Sequence, residues 1–448
     1  MMKPAQKTSP RILLSAGILL WSLSASPPAK AQDGVLTLEE AIRTALKANE
    51  TALIADQKVE AADARLTKAR AYFLPNITLT GNYTRRPFEV VRIVGNSQII
   101  VQNYNALSGA ANVSLTLFDS RSLPALQQAK WDRLAERFST ADSKRQLAFD
   151  VGNAYLATLG IDQVLEASRH RRDYAKQSLD AAKARYAAGL VSVNDVTRAE
   201  LECATAEMGL TQVQGQVETT FLQLGYLLNS PPPRKLSTPE VLFQAVEAKI
   251  PEAERLIAEA QDRRPDIESL RWRARSQQSS MLEPLLRWFP SLTLNGRYSY
   301  TNEAGLTGRN FNWSLGMSMN WNIFDGLTRN GDYSERKALA YQADLNLQAA
   351  LRKVELDVRD ALVSLENQRA TLRLTQAAYD VAVKNAAETA ELYRQGLGTA
   401  LQVADANVRL FEANVDLVRA RYGLGVSYLN LESALGLDPL GKEPDLEK

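Results

Sequence analysis

The stretch Asn310–Gly326, NFNWSLGMSMNWNIFDG, alternates strictly, and few folds accept such a segment between very long helical runs. Phe311, Trp313, Leu315, Met317, Met319, Trp321 and Ile323 fall on one side. Asn312, Ser314, Gly316, Ser318, Asn320 and Asn322 fall on the other, the two-residue period of a β-strand. At ~3.3 Å per residue, Trp313 and Trp321 stand ~20 Å or more apart, the height of an apolar band between two aromatic girdles in lipid. The opposite side is small and uncharged, as a watery lumen requires. The predicted strand covers 311–324.

Its flanks are helical. From Pro124 the chain has no proline until Pro231, and from Pro290 none until Pro439. Helices are predicted over 124–188, 191–229, 327–395 and 399–436, the longer ones ~95–100 Å at 1.5 Å per residue, which implies a coiled coil or a helical barrel. Heptads agree. Leu351, Val358, Leu365, Leu372, Tyr379, Ala386 and Tyr393 recur every seven residues. Beyond the next turn two series run together, one through Val403, Leu410 and Leu417 and one through Leu401, Val408 and Val415. Two stripes predict two packing partners for one helix.

The halves repeat. Leu74-Pro75 with Ile77-Thr78-Leu79 matches Phe289-Pro290 with Leu292-Thr293-Leu294. Leu117-Phe118-Asp119 matches Ile323-Phe324-Asp325, and Tyr186…Gly189-Leu190 matches Tyr393…Gly396-Leu397. Each copy reads helix, strand, loop, strand, very long helix, Gly-Leu turn, long helix. The first copy spans 32–229, with one helix over Leu36–Phe73 opened by Thr37 and Glu40, strands at about 76–84 and 111–118, and a polar loop over roughly Arg85–Gly109. A linker, 230–250, contains Pro231-Pro232-Pro233. The second copy spans 251–438, with a strand at about 291–301 besides 311–324. Residues 439–448 form a short tail.

The N-terminus reads as an export signal, residues 1–31: Lys3, Lys7 and Arg11, the apolar run Ile12–Leu23, then Ala29-Lys30-Ala31 before Gln32. Its removal takes four basic residues and no acid from the 53 basic and 51 acidic ones, leaving a net charge of about −2. Nothing in that balance points to nucleic acid. No later run is long and apolar enough for a membrane helix, so a membrane role must come through strands. One Cys (Cys203) and one His (His170) leave no internal disulfide and next to no room for a Cys/His metal site or nucleophile–His catalysis. Cys203 falls on a heptad and reads as core; His170 reads as a solvated surface residue. No catalytic residue and no cofactor are expected.

Four strands cannot close a barrel in lipid, because the smallest closed ones have about eight. An open edge there would strand backbone hydrogen-bonding groups. The barrel must therefore be shared: two copies give eight strands and a filled interior, three give twelve and room for a channel.

On these motifs the whole mature chain resembles the outer-membrane efflux protein family, the TolC-like exit ducts. The resemblance implies an α+β membrane protein, a homotrimer whose shared twelve-stranded β-barrel, four strands per chain, sits in outer-membrane lipid and continues as a twelve-helix barrel across the periplasm. It implies a passive duct for efflux or type I secretion, with a periplasmic adaptor and an inner-membrane transporter as partners. Gly189-Leu190 and Gly396-Leu397 match the tip turns that meet the adaptor. Asp405 matches one of two aspartates of the entrance constriction, and Gln402 stands where the other would be. Tyr393 and Asp195 match partners in the tip-closing hydrogen bonds; the arginine expected after the second glycine is Gly398, and Arg394 stands as its substitute. For Asp405 the plainer alternative is a carboxylate that solvates its helix. Trp313, Trp321, Tyr298 and Tyr83 are the expected aromatic anchors. A structural or adhesive trimeric coiled coil is the competing class, but it needs no duplicated Gly-Leu tips.

Overall fold

The computed structural model describes residues 34–95, 97–247, 251–303 and 309–442. The expected signal segment, 1–31, and residues 443–448 of the expected tail lie outside the described residues. The described chain is dominated by helices. β1 (Val35–Leu36), α1 (Leu38–Ala48) and α2 (Glu50–Ala71) lead into β2 (Asn76–Arg85), β3 (Val90–Val94), β4 (Ser97–Gln102) and β5 (Asn105–Phe118). Then come α3 (Ser122–Ala187), α4 (Val193–Leu228), β6 (Lys235–Leu236), α5 (Glu240–Glu247), α6 (Ala253–Arg263) and α7 (Pro265–Leu286). β7 (Ser291–Thr301), β8 (Phe311–Asn320), α8 (Thr328–Arg394) and α9 (Ala400–Ala434) complete the order.

Four antiparallel strands form the main sheet, in the order β2-β5-β7-β8. The register sorts its faces. Ile77 pairs with Val113, Val113 with Gly296 and Gly296 with Leu315; two residues on, Tyr298 pairs with Trp313, and Tyr300 with Phe311. This face is apolar and aromatic, and Ile77, Leu79, Trp313, Leu315 and Met317 are exposed on it. The other face carries Thr78, Asn112, Ser314 and their neighbours. Three of the expected anchors, Tyr83, Tyr298 and Trp313, fall toward one end of the apolar face. Trp321 lies at the other end, its indole N–H donating to the Trp288 carbonyl at 3.0 Å.

Several boundaries differ from expectation, each for a physical reason. β8 stops at Asn320, not at residue 324, because its partner β7 begins at Ser291, directly after Pro290, and Ser291 pairs with Asn320. The alternation continues past that point but has no backbone to pair with. β5 begins at Asn105 rather than 111, because β2 runs to Arg85 and pairs that far. The expected loop 85–109 contains the hairpin β3–β4. The expected single helix Leu36–Phe73 breaks at Asn49, whose extended backbone ends α1 and whose side-chain oxygen caps α2 through Thr51 N–H at 2.8 Å. Its amide donates to the Leu227 carbonyl at 2.9 Å, tying the break to the end of α4. The expected linker carries β6, parallel to β1, and α5. The described start of the tail is held in a turn: Asp438 N–H, at the end of the second copy, donates to the Lys442 carbonyl at 2.9 Å.

The long helices pack as heptads require. α4 lies beside α3, α3 beside α9, and α9 beside α8, so α9 has the two neighbours its two stripes called for. Nearer the sheet, α2, α3, α7 and α8 stand abreast. The main core sits where these sets meet: Leu156 of α3, Leu224 of α4, Leu365 of α8 and Leu429 of α9 are fully buried together. Tyr155 fixes the level, its hydroxyl lying 2.7 Å from both the Leu36 and Ser237 carbonyls that flank the β1–β6 pair. Cys203 is buried with Ala175 and Ala206, and His170 is exposed.

Where strand becomes helix, an acidic residue manages the turn in both halves. Asp119 takes Arg121 (Nη2 to Oδ2 2.6 Å) and the Tyr72 hydroxyl (2.5 Å). Burial works against its charge, but the Arg121 and Tyr72 hydrogen bonds outweigh it and hold the carboxyl down at about 2. Asp325 takes Arg329 at 2.7 Å, and that guanidinium also reaches the Asn322 carbonyl and lies over the Trp288 ring.

Two measurements test this frame. Replacing Asn49 by Ala removes a helix cap and leaves the Leu227 carbonyl unpaired, an expected loss of about 1–2 kcal/mol in thermal unfolding; an unchanged melting temperature would refute the capping role. Glu432 of α9 is buried with one carboxylate oxygen unpartnered among the described residues. Burial, with help from the Asp438 charge, pushes its carboxyl up to about 7 against the Tyr428 and Gly441 hydrogen bonds. Its contribution to stability is therefore full below the ordinary carboxylate range and lost as pH rises through about 7. Glu432→Gln is expected to melt above the parent at pH 8, with the gap closing by pH 4; a pH-independent difference would contradict this.

Candidate functional site

Both hairpins, α3–α4 and α8–α9, end in the same turn. Gly189 and Gly396 adopt φ of 71° and 77°, a left-handed conformation that favours glycine. Leu190 N–H bonds back to the Arg185 carbonyl at 2.9 Å and Leu397 N–H to the Leu392 carbonyl at 2.9 Å, the six-to-one closure of a Schellman end. This geometry turns the following leucine outward. Leu190 is 74% exposed and Leu397 75%, so each tip presents one apolar side chain to water.

The returning helices start on matched caps. Asp195 accepts from Ser192 N–H at 3.1 Å, and Gln402 accepts from Thr399 N–H at 2.9 Å, both as the third helical residue of a capping box. Asp195 and Gln402 thus occupy equivalent positions in the two halves, each held by its own helix start. Asp405 lies one turn further along α9, exposed, with Arg409 Nε 2.9 Å from its Oδ2. Its negative charge is accompanied by a positive one on the same helix.

Tyr393 meets the α3–α4 hairpin through its ring rather than through a hydrogen bond to Asp195, which caps its own helix. The Arg185 guanidinium sits over its ring, 4.3 Å from the centroid. Arg185 is the residue before Tyr186, and Tyr186 is the counterpart of Tyr393, which is the signal that could have found it. Arg394, the expected substitute for the missing arginine, pairs with Glu391 on its own helix at 3.1 Å. A side chain at position 398 would be tight: a Cβ on Gly398 would lie 3.1 Å from the Tyr393 backbone nitrogen, so the turn would have to give by a few tenths of an ångström.

A second link lies deeper. Arg171 of α3 donates to Glu202 of α4 at 2.8 Å and lies over the Phe411 ring of α9, 4.9 Å from its centroid. Between the two links a cavity of about 540 Å³ separates the hairpins, lined by Tyr174, Asp195, Glu202, Tyr379 and Asn407 among others. Over this stretch, from Arg171 to the tips, the hairpins are therefore held at discrete points, whereas above it α3 and α9 pack in the main core. Among the described residues no group of three or more His, Cys, Asp or Glu could hold a metal ion. Also among them, no helix is long and apolar enough to cross a membrane.

If Arg185 and Tyr393 act as one contact, Arg185→Ala, Tyr393→Ala and the double variant should raise hydrogen exchange at the Gly396 turn to a similar degree. The expected coupling is about 0.5–1 kcal/mol; strictly additive effects would show the pair to be independent.

Known proteins resemble this chain in sequence and fold. The family model described as outer membrane efflux protein matches residues 41–230 and 256–437. The chain is 25% identical over 384 residues to outer membrane protein TolC of Vibrio cholerae, covering 84% of this chain and 85% of that one. It is 24% identical over 414 residues to the probable efflux pump outer membrane protein TtgC of Pseudomonas putida, covering 89% and 82%. Among solved structures, one of CusC superposes with a TM-score of 0.77 at 18% identity, covering 93% of this chain and 96% of that one. VceC of Vibrio cholerae gives 0.73 at 18% identity, covering 90% and 96%. The chain belongs to the outer membrane efflux protein family.

Proposed function

We propose that three copies of this chain form a continuous duct, an outer-membrane efflux channel whose barrel stands in lipid and whose helices cross the periplasm. Family membership and the relatives' printed roles support the efflux channel and its outer-membrane location. The trimer rests on one observation above all: the free borders of the chain agree at every level. In the sheet the unpaired edges are β2 and β8, and in the helical wall the outer helices are α4 and α8. Those helices carry exposed apolar stripes, Leu201, Met208 and Leu222 on α4, and Leu356, Val363, Leu374 and Val381 on α8. An open edge in lipid and an apolar stripe in water both ask for a neighbouring copy.

The two halves are read as copies of one unit, so three chains supply twelve strands and twelve long helices. The duct does no chemistry; energy comes from an inner-membrane transporter through a periplasmic adaptor. Leu190 and Leu397 are the adaptor contacts, aimed outward by their glycines. Asp405 lines the entrance, with its field tempered by Arg409. Movement of the α8–α9 pair away from α3–α4 opens the tip, breaking the Arg185–Tyr393 and Arg171–Phe411 contacts.

Native mass measurement in detergent tests the assembly: a trimer is expected, and a monomer that keeps its β-structure would overturn it. In the same preparation, crosslinking through a Cys placed beside Gly189 or Gly396 should capture an adaptor from the periplasm. Leu190→Glu with Leu397→Glu should cut that yield at least about tenfold, as burial of two charges would demand. An undiminished yield would remove the leucines from the interface.

A further inference from the structure

The polar face of the sheet carries a single charged side chain among the described residues. Reading across the register, Thr78 lies beside Asn112, Asn112 beside Arg297, and Arg297 beside Ser314. The row toward one end is Asn76, Ser114, Asn295 and Gly316; the row toward the other is Thr80, Ala110, Ser299 and Asn312. Those rows hold no charge. Arg297 is exposed and makes no ion pair or side-chain hydrogen bond among the described residues. Arg85, at the end of β2, alternates onto the opposite, apolar face with Ile77, Leu79 and Tyr83. Three arginines at the ends of the sheet are occupied: Arg86 binds Glu303, Arg121 binds Asp119 and Arg329 binds Asp325.

From this we infer that Arg297 makes the barrel section of the duct an anion-attracting collar, a ring of three unpaired guanidinium groups in an otherwise uncharged lumen. The inference rests on the trimeric reading above. Chain symmetry places the three arginines at one height, and a water-filled bore with low-dielectric walls focuses their field instead of dispersing it. Rings of Arg or Lys are the usual device by which pores favour anions. The acid at the tips does not offset it, because Asp405 has Arg409 beside it. Cargo bearing carboxylate, phosphate or sulfonate groups therefore gains local concentration in the barrel section, and cationic cargo loses it. The effect is screened by salt, since the Debye length falls from ~10 Å at 0.1 M to ~3 Å at 1 M.

A local chemical probe tests this without depending on whether the tips are open. Ser314→Cys places a thiol directly across from Arg297 on the same face, on a Cys203→Ala background that removes the native thiol. The full-length protein in detergent is treated with two methanethiosulfonate reagents, one ending in sulfonate and one in trimethylammonium, at 0.1 M and 1 M salt. The ratio of sulfonate to trimethylammonium rates should exceed that of the Arg297→Gln variant by about threefold or more at low salt and fall toward it at high salt. Arg297→Lys should restore the preference. Equal ratios in a preparation that is trimeric by native mass would overturn the collar and leave the duct standing. A thiol that neither reagent reaches would overturn it too, since the face would then not line water. A monomer would overturn both.

Discussion

Backbone hydrogen bonding at the sheet edges is the constraint on which everything else depends. Four strands ordered β2-β5-β7-β8 leave two edges of unpaired N–H and C=O groups, and in hydrocarbon each such group costs several kcal/mol. No local adjustment of the chain removes that cost. Only a further strand does, and in the proposed trimer neighbouring copies of the same chain supply it. Once the sheet is shared, the helices that continue from it inherit the symmetry. The apolar stripes of α4 and α8 then lie where neighbouring copies arrive, so lipid and water impose the same assembly on different parts of one chain.

Charge is distributed with comparable economy. Acidic residues at the strand-to-helix junctions have cationic partners, through Arg121 two residues after Asp119 and Arg329 four residues after Asp325. The spacing differs between halves while the task is shared: an acid holds the backbone N–H and guanidinium of an arginine at the start of the incoming helix and fixes the chain's change of direction. At the tips the same logic uses neutral and acidic capping residues interchangeably, Gln402 in one hairpin and Asp195 in the other. Of the two arginines in the strands of the sheet, Arg297 faces the polar side and Arg85, at the end of β2, the apolar one.

Much of this architecture was legible in the residues. Period-two alternation placed β7 and β8, proline-free heptads placed the four long helices to within a few residues, and the Gly-Leu pairs placed both tips. Boundaries failed where they depended on a partner rather than on local pattern. Trp321 and Ile323 continue the alternation of β8, yet the strand ends because Pro290 delays the start of β7. Asn49 looked like one polar residue in an alanine-rich helix; its tie to the Leu227 carbonyl, far away in sequence, turns it into a break. At the candidate site, the glycine turns and the exposed leucines after them were readable because their geometry is local. Arg185 and Arg171 were not, because each acts on an aromatic ring of a different hairpin, and a lone arginine on a helix face gives no sign of what lies opposite. Arg297 stayed hidden for a similar reason: its isolation appears only when four strands are laid in register.

The length of α3 and α8 has a mechanical consequence. α3 runs 66 residues and α8 runs 67 between the strand junction and the tip turn. Each is a beam of ~100 Å, gripped near its middle by the core around Leu156 and Leu365. A bend of about 10° in the ~50 Å beyond that core sweeps the far end through about 9 Å, roughly the spacing of two packed helices. Large movements of the tips therefore require only modest angular strain at the core. A partner gripping the tips works with mechanical advantage over the few contacts that link the hairpins beyond it.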